Sequence, residues 1–493
     1  MKKAILCAAA LMFGTMAFAQ VSGAPTASAV PALPGAAAGA NTGESIQNGN
    51  DNKVRVRQAG TSQSVYTNQN DGSGSGGNLA AVQQTGLVNP TSGIANLAEV
   101  LQSGSANQST TLQEGDYNNA VTRQGQNDDS SARNKALIRQ GTGQQAENNH
   151  AAIEQDGDDN LARTQQTYDN SDAWTRQVGD ENKSMIVQNA GPNGSDGHEA
   201  NVEQYGDRNE SAVDQDGFPG QGGRNVATTY QLGDDNQAKQ KQKTTAASGV
   251  AGNRGSIVQG PGPYDVLIGA ANSDAGSIYA AWPGGVAGSP TLESIGAKAK
   301  QTQYGKMNEA AIRQIGGTVG ASNYGEQEQL SGWNNDAALY QGHFFAGEDD
   351  NYGKQSQAGD NNDAGLVQSG SGMKGLQTQY GHRNDAASVQ VGEDHRLNVH
   401  QRGNDNVAET GQAGSGNAAL LTQRDGQSYS IAQNLNLGWL DRSQGGNQAD
   451  VLQLGPNGDF SADYIDCDFD PPMNLDMNYN IPDLIIDDVC PDC

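Results

Sequence analysis

Six histidines, three C-terminal cysteines, several acidic turns and one glycine fingerprint are the residues of this chain that could do chemistry. His150, His198, His343, His382, His395 and His400 are scattered with no metal-ligand spacing, so no zinc-type cluster is expected and their roles read as structural. Cys490-x-x-Cys493 has the spacing of a redox pair or of half a zinc site. With only Cys467 as a further cysteine and no adjacent His, the expected use of Cys467, Cys490 and Cys493 is a disulfide, which leaves one thiol over. Acidic stretches such as Asp156-Gly157-Asp158-Asp159-Asn160 and Gly233-Asp234-Asp235-Asn236 offer oxygens for weakly held Ca²⁺. The calcium-binding nonapeptide pattern GGxGxDxUx is absent, and these stretches read as solvated turns. Gly370-x-Gly372-x-x-Gly375 matches a dinucleotide fingerprint in letters, but no helix pattern follows it. The expectation is a protein that is not an enzyme and has no cofactor or metal site.

The elements that carry these residues are repeats. Asn107 to Gln124 contains one seven-residue phrase twice, Asn107-x-Ser109-x-x-x-Gln113 and Asn118-x-Ala120-x-x-x-Gln124, joined by Glu114-Gly115-Asp116-Tyr117. Phrase plus connector recurs every 11 residues. Seven residues alternating with period two suit a strand, so slots one, three, five and seven share a face. That face reads Asn134, Ala136, Ile138, Gln140 in one copy and Asn149, Ala151, Ile153, Gln155 in another, while the other face carries residues such as Lys53, Arg55 and Arg57. One face is buried and the other is wet.

A buried amide without partners costs about 1–3 kcal/mol. Repeated Asn and Gln at fixed slots therefore call for a repeated solution: stack like on like at about 4.8 Å, and each amide bonds its copies above and below. Strand, glycine turn, strand, turn makes a coil of about 22 residues. The expected fold is all-β, a two-sheet β-solenoid of 11-residue strand-turn units. Its structural ladder is expected at Asn107, Gln113, Asn118, Gln124, Asn160, Gln166, Asn209, Gln215, Asn308, Gln314, Asn384, Gln390, Asn406 and Gln412. Asn107-x-Ser109, Asn182-x-Ser184 and Asn209-x-Ser211 look like glycosylation sites, but they are the same phrase with Ser in slot three.

Composition bounds the rest. Of 493 residues 66 are Gly, and only 34% are hydrophobic, which borders on disorder without the repeat. A net charge of -27 excludes nucleic acid as a partner. Residues 1–19 read as a secretory signal peptide, with Lys2 and Lys3, an apolar run and Ala17-Phe18-Ala19, which places the mature chain outside the cell; Cys7 lies too early for a lipoprotein cysteine. No later run is apolar enough to span a membrane. Residues 20–40 are small and proline-punctuated, a flexible leader. The first part of the solenoid covers 41–259, an insertion loop covers 260–296, and the second part covers 297–458, with the phrase degrading near Ser428 to Gln444. An acidic, cysteine-bearing tail covers 459–493. About thirty strands, hence about fifteen coils, are expected.

The phrase resembles the curlin repeat of curli subunits, the secreted functional amyloids of bacterial biofilm. The likeness is closest in Gln204-Tyr205-Gly206-Asp207-Arg208-Asn209-Glu210-Ser211 and Gln379-Tyr380-Gly381-His382-Arg383-Asn384-Asp385-Ala386. It covers about four-fifths of the chain. The resemblance implies a structural subunit of cell-surface fibres that stacks end to end with itself, a nucleator subunit as partner and export through an outer-membrane pore. The chain departs from the family in having about three times as many repeats, a long insertion and an acidic tail. The second expectation is a monomeric secreted adhesin that binds through residues 260–296 or the acidic tail.

Overall fold

The structure, a computed structural model, describes residues 24–34, 36–72, 76–86, 93–127, 130–141, 146–191, 195–217, 222–260, 293–316, 323–342, 350–434 and 445–455. The signal peptide, the insertion at 261–292 and the acidic tail with Cys467, Cys490 and Cys493 lie outside the described residues. The described residues are all-β, with no helix, and fall into two compact units, 24–260 with 293–308 and 309–455. Each is a two-sheet parallel β-solenoid.

In the first unit the two sheets have nine strands each, and consecutive strands of the chain alternate between them. Leu97–Ser103 enters the first sheet, Gln108–Asp116 the second, Asn119–Gln124 the first again and Lys135–Gln140 the second. All pairing is parallel and in register, so Gln102 lies over Gln124 and Gln113 over Gln140. The second unit repeats this with six strands per sheet, from Glu309–Gln314 to Gln448–Leu454. Nine coils and six coils match the count expected from the phrase.

Alternation decides which side is buried. In Leu161–Thr167 the residues Ala162, Thr164 and Gln166 point inward and their neighbours outward, as the phrase requires. Within a coil the two strands run in opposite directions, so slot three of one sheet faces slot five of the other. Ala120, Ala136, Ile138, Ala151, Ile153 and Ala162 make one such cluster, small opposite large. The rule tightens in the second unit, where slot three is Gly in Gly325, Gly353 and Gly375. A Cβ on Gly353 would come within 2.7 Å of Leu339, and one on Gly375 within 2.7 Å of Leu366. A core this narrow has room for one large side chain per level.

The turns also stack. Gly157, Gly179, Gly206 and Gly233 have φ between +104° and +113°. A Cβ on Gly157, Gly179 or Gly206 would sit 2.3 Å from the carbonyl oxygen of the glycine one coil further on. The residue just before slot one is strained too, with φ of 55° to 58° at Asp159, Glu181, Arg208 and Asp235. Neighbouring coils hold it there: Glu181 N–H donates to Asp158 O at 2.9 Å and Arg208 N–H to Asp180 O at 2.9 Å.

Two expectations are corrected. Part of the leader read as flexible is docked, with Ala27 only 5% exposed and hydrogen-bonded to Asn119. The phrase does not degrade at Ser428: Gln427 stands in slot one, Tyr429 in slot three and Gln433 in slot seven of a paired strand, Ser428–Gln433. The substitutions at slots one and three hid the phrase.

Stacking predicts unequal costs for the same change at two glycines. Gly179→Ala should lose about 3 kcal/mol, from the forbidden φ and the overlap with Gly206 O. Gly426→Ala has φ +74° but nothing within 4 Å and should lose about 1 kcal/mol. Urea unfolding of the two variants reads the difference.

Candidate functional site

The candidate site is a set of amide ladders and the coil ends where they stop. In the first sheet of the first unit Gln47, Gln69, Gln102, Gln124, Gln155, Gln177, Gln204, Gln231 and Gln259 form one column. Each Nε2 donates to Oε1 of the next at 2.8–3.0 Å. The second sheet carries a matching column from Gln58 through Gln113, Gln166 and Gln215 to Gln303. The second unit has two more, Gln314 through Gln390 and Gln412 to Gln433, and Gln329 to Gln453.

Nε2 has a second hydrogen, and it crosses the core. Gln166 donates to His150 O at 2.8 Å, Gln124 to Gln108 O at 3.1 Å and Gln215 to Glu199 O at 2.8 Å. One side chain thus fastens its own strand to the next coil and to the opposite sheet. The inward face could tolerate no simple hydrophobe there without stranding three groups at once.

Slot one works differently. The Asn side-chain oxygen accepts the backbone N–H of the slot-one residue in the next coil: Asn134 donates to Asn107, Asn160 to Asn134, Asn182 to Asn160 and Asn209 to Asn182, each at 3.0 Å. Its Nδ2 donates to a glycine carbonyl of the next turn, as Asn160 does to Gly179 O and Asn209 to Gly233 O, both at 2.7 Å. Asn118, Asn384 and Asn406 follow the same pattern with Asn96, Asn362 and Asn384. Asn308 is buried, donates from Nδ2 to Tyr304 O at 3.1 Å and closes the first unit. Asn107, Asn182 and Asn209 are therefore core residues, fully buried, not glycan acceptors.

Two histidines occupy slot one and imitate Asn. His198 Nδ1 accepts Asn225 N–H at 3.3 Å and its Nε2–H donates to Asn189 O at 3.2 Å. His395 does the same with Asn417 N–H and Val391 O. Only the neutral ring fits. Burial pushes His198 from 6.5 down to about 4 and moves His395 in the same direction.

The acidic turns form their own column. Asp158 N–H donates to Asp180 Oδ1, Asp180 N–H to Asp207 Oδ1 and Asp207 N–H to Asp234 Oδ1, at 2.8–2.9 Å. These carboxylates cap backbone groups, and among the described residues no cluster of three or more His, Cys, Asp or Glu could hold a metal. The glycines of the dinucleotide-like match are likewise structural. Gly370 lies in strand Asp363–Ser371 against Gly392 O, and Gly375 faces Leu366.

Sequence reasoning missed one ladder and one surface. Slot five is Gln at Gln327, Gln355 and Gln377, and Nε2 of each of the first two donates to the next at 2.8 Å. The tripeptides Gln-x-Gln in 327–329, 355–357 and 377–379 signal it. The missed surface is the apolar row Leu97, Val121, Ala152 and Trp174 on the outer face of the first sheet, beneath the leader. Its signal was apolar residues at even slots.

The class defined is a two-sheet parallel β-solenoid held by Gln and Asn ladders. No family model matches the chain, and no curated protein matches it. No helix among the described residues is long and apolar enough to cross a membrane.

Two pH effects of opposite sign follow. The unfolded chain binds more protons than the folded one between 6.5 and about 4 because of His198, so the first unit should lose stability as pH falls through that window. His198→Asn should remove a drop of up to about 3 kcal/mol. In the second unit Asp336 lies in register between Glu309 and Asp363, and burial first, then the Glu309 charge, push its carboxyl from 3.8 up to about 7. That unit should lose stability as pH rises from 3.8 to 7, and Asp336→Asn should flatten the loss. Thermal melts at pH 4, 5, 6 and 7 check both. Separately, Gln124→Leu strands Gln102, Gln155 and Gln108 O and should cost about 3 kcal/mol in urea unfolding.

Proposed function

We propose that this protein is a structural subunit of extracellular fibres, joining copies end to end through its terminal coils. The observation that supports this most is the direction of the glutamine ladders. The rungs of all four columns run Nε2 to Oε1 from the N-terminal coil toward the C-terminal coil. The columns therefore finish unequal. Among the described residues nothing from a further coil donates to Gln47 or Gln58 Oε1, and nothing from a further coil accepts from Gln433 or Gln453. The first coil of the first unit offers acceptors, and the last coil of the second unit offers donors.

The end strands match in other slots. Tyr429, 40% exposed, fills slot three at the C-terminal end, where most coils have Ala, Gly or Ser; slot three at the N-terminal end is Gly43. In the second sheet slot four is Arg55 at one end and Asp450 at the other. Contact of the C-terminal coil of one copy with the N-terminal coil of the next continues both ladders, seats Tyr429 over Gly43 and faces Arg55 with Asp450. The reverse pairing sets donor against donor. Open strand edges are templates for this kind of addition. The resemblance to curlin repeats points the same way and adds the nucleator subunit, the export pore and the cell-surface location as partners and place. The buried polar groups of the described residues serve the stack, which accords with a structural and not a catalytic role.

The test is electron microscopy and seeded growth of the mature chain. Wild type should form fibres; Gln453→Leu or Gly43→Val should slow elongation about tenfold or more, and Gln166→Leu, inside the first unit, should change it less than twofold. Absence of fibres at any concentration, or equal slowing by internal and terminal substitutions, would defeat the reading.

A further inference from the structure

The leader segment crosses the strands instead of joining them. Val30 N–H donates to Ser64 Oγ at 2.7 Å on the second coil, and Ala27 meets Asn119 on the fourth. His150 Nε2 donates to Pro25 O at 2.9 Å on the fifth coil, and Ala24 packs against the cluster of Ala27, Val121 and Ala152. The five steps from Val30 to Pro25 advance by about 17 Å when extended, enough to climb the three coil spacings of about 4.8 Å each from Ser64 to His150. The segment is a strap laid along the stack on the outer face of the first sheet.

What the sheet reads is the strap's backbone. Asn119 clasps one residue from both sides: its Oδ1 accepts Ala27 N–H at 3.0 Å and its Nδ2 donates to Ala27 O at 3.1 Å. Ser64 and His150 complete the set with a backbone N–H and a backbone carbonyl. The Ala27 methyl is the strap side chain enclosed, between Val121 and Ala152, while Thr26, Ser28 and Ala29 are exposed. Below the strap the outer face is apolar, unlike the charged outer rows elsewhere, such as Glu210, Asp214 and Asp216 of strand Glu210–Gly217.

We propose that this track is a binding site for an extended peptide, and that its occupant besides the chain's own strap is the strap of a second copy. Three features of the molecule argue for exchange. The contacts identify any copy of residues 24–30, because they use backbone atoms and one methyl. The strap precedes the first coil, whose strand begins at Thr42, so it can leave without unpairing a strand. The tether between them is loosely held, with Leu33 80% exposed. Exchange of an identical element links copies without creating any new contact type. Such a link is independent of the coil ends, so it stands or falls apart from fibre formation.

Complementary variants test it. Ala27→Lys disables the strap, since a lysine cannot enter the space of the methyl, and leaves the track intact. Asn119→Leu disables the track and leaves the strap intact. In chains that also carry the end-coil substitutions Gly43→Val and Gln453→Leu, which slow fibre growth, each full-length mature chain alone should sediment as a monomer at micromolar concentration. An equimolar mixture should give a 1:1 dimer, one intact strap seated in one intact track. A mixture that stays monomeric while both chains keep their β circular dichroism would overturn the proposal. If Asn119→Leu does not fold, a fluorescent peptide of sequence APTASAVP (residues 24–31) decides the matter by anisotropy with the Ala27→Lys chain. It should bind, unlabelled peptide should displace it, and Ser64→Ala with His150→Ala should weaken it about 30-fold, the value of two lost hydrogen bonds. No binding at millimolar peptide would overturn the site itself.

Discussion

The whole structure depends on one constraint: an amide taken into a narrow core must find all its partners there. Each slot-seven Gln meets it in the same way, giving one hydrogen to the next coil and one to the opposite sheet, while accepting from the coil before. None of these bonds exists until the coil is stacked. Hydrophobic burial alone would allow coils to slide by two residues along a strand with modest loss, since the alternation survives such a shift. The ladders do not allow it, because a shifted Gln faces a β-branched or small residue and leaves its amide unpaired. Register is thus set by polar groups, and the small apolar content of the chain suffices because it has only to fill the middle slots.

The same constraint explains the strain in the turns. A turn that repeats at the coil spacing brings like atoms over like atoms, and only glycine leaves room for the next carbonyl at Gly157, Gly179 and Gly206. At the residue before slot one the chain accepts positive φ at Asp, Glu, Arg and even Met307, paying with local strain for a backbone that pairs through the turn. It also explains the histidines. A ring can replace Asn at slot one only while neutral, which ties the stack to pH at His198 and His395.

Much of this was legible in the sequence because the repeat is a physical signal averaged over many copies. A single Asn118-x-Ala120-x-x-x-Gln124 could be accident; its recurrence marks strand, inward face and ladder slots together, and in the structure Asn118 N–H donates to Asn96 Oδ1 and Gln124 Nε2 to Gln155 Oε1. Features that occur once were not legible. Tyr429 and Gln427 disguised the phrase before the last because they depart at two of the defining slots. The strap was hidden because its sequence is low in information, and the clue lay in Val121 and Ala152, ordinary letters at a slot that is mixed along the chain. The slot-five Gln ladder was hidden for the opposite reason: Gln327, Gln355 and Gln377 stand beside slot-seven glutamines that already accounted for the eye's count of amides.

Hydrogen exchange of the glutamine side chains tests the account of the stack most directly. With ¹⁵N-glutamine in the mature chain, NMR resolves carboxamide protons separately from the backbone. Slot-seven carboxamides such as Gln124, Gln166 and Gln390, each buried and bonded on both hydrogens, should exchange only through unfolding of their coils, slowed by three or more orders of magnitude relative to the half-buried Gln427 side chain, which gives one hydrogen to Asp425 O. Carboxamides at slot seven that exchange within a few fold of Gln427 would contradict the account, because the amides that are held here to fix the register would then be bonded to water.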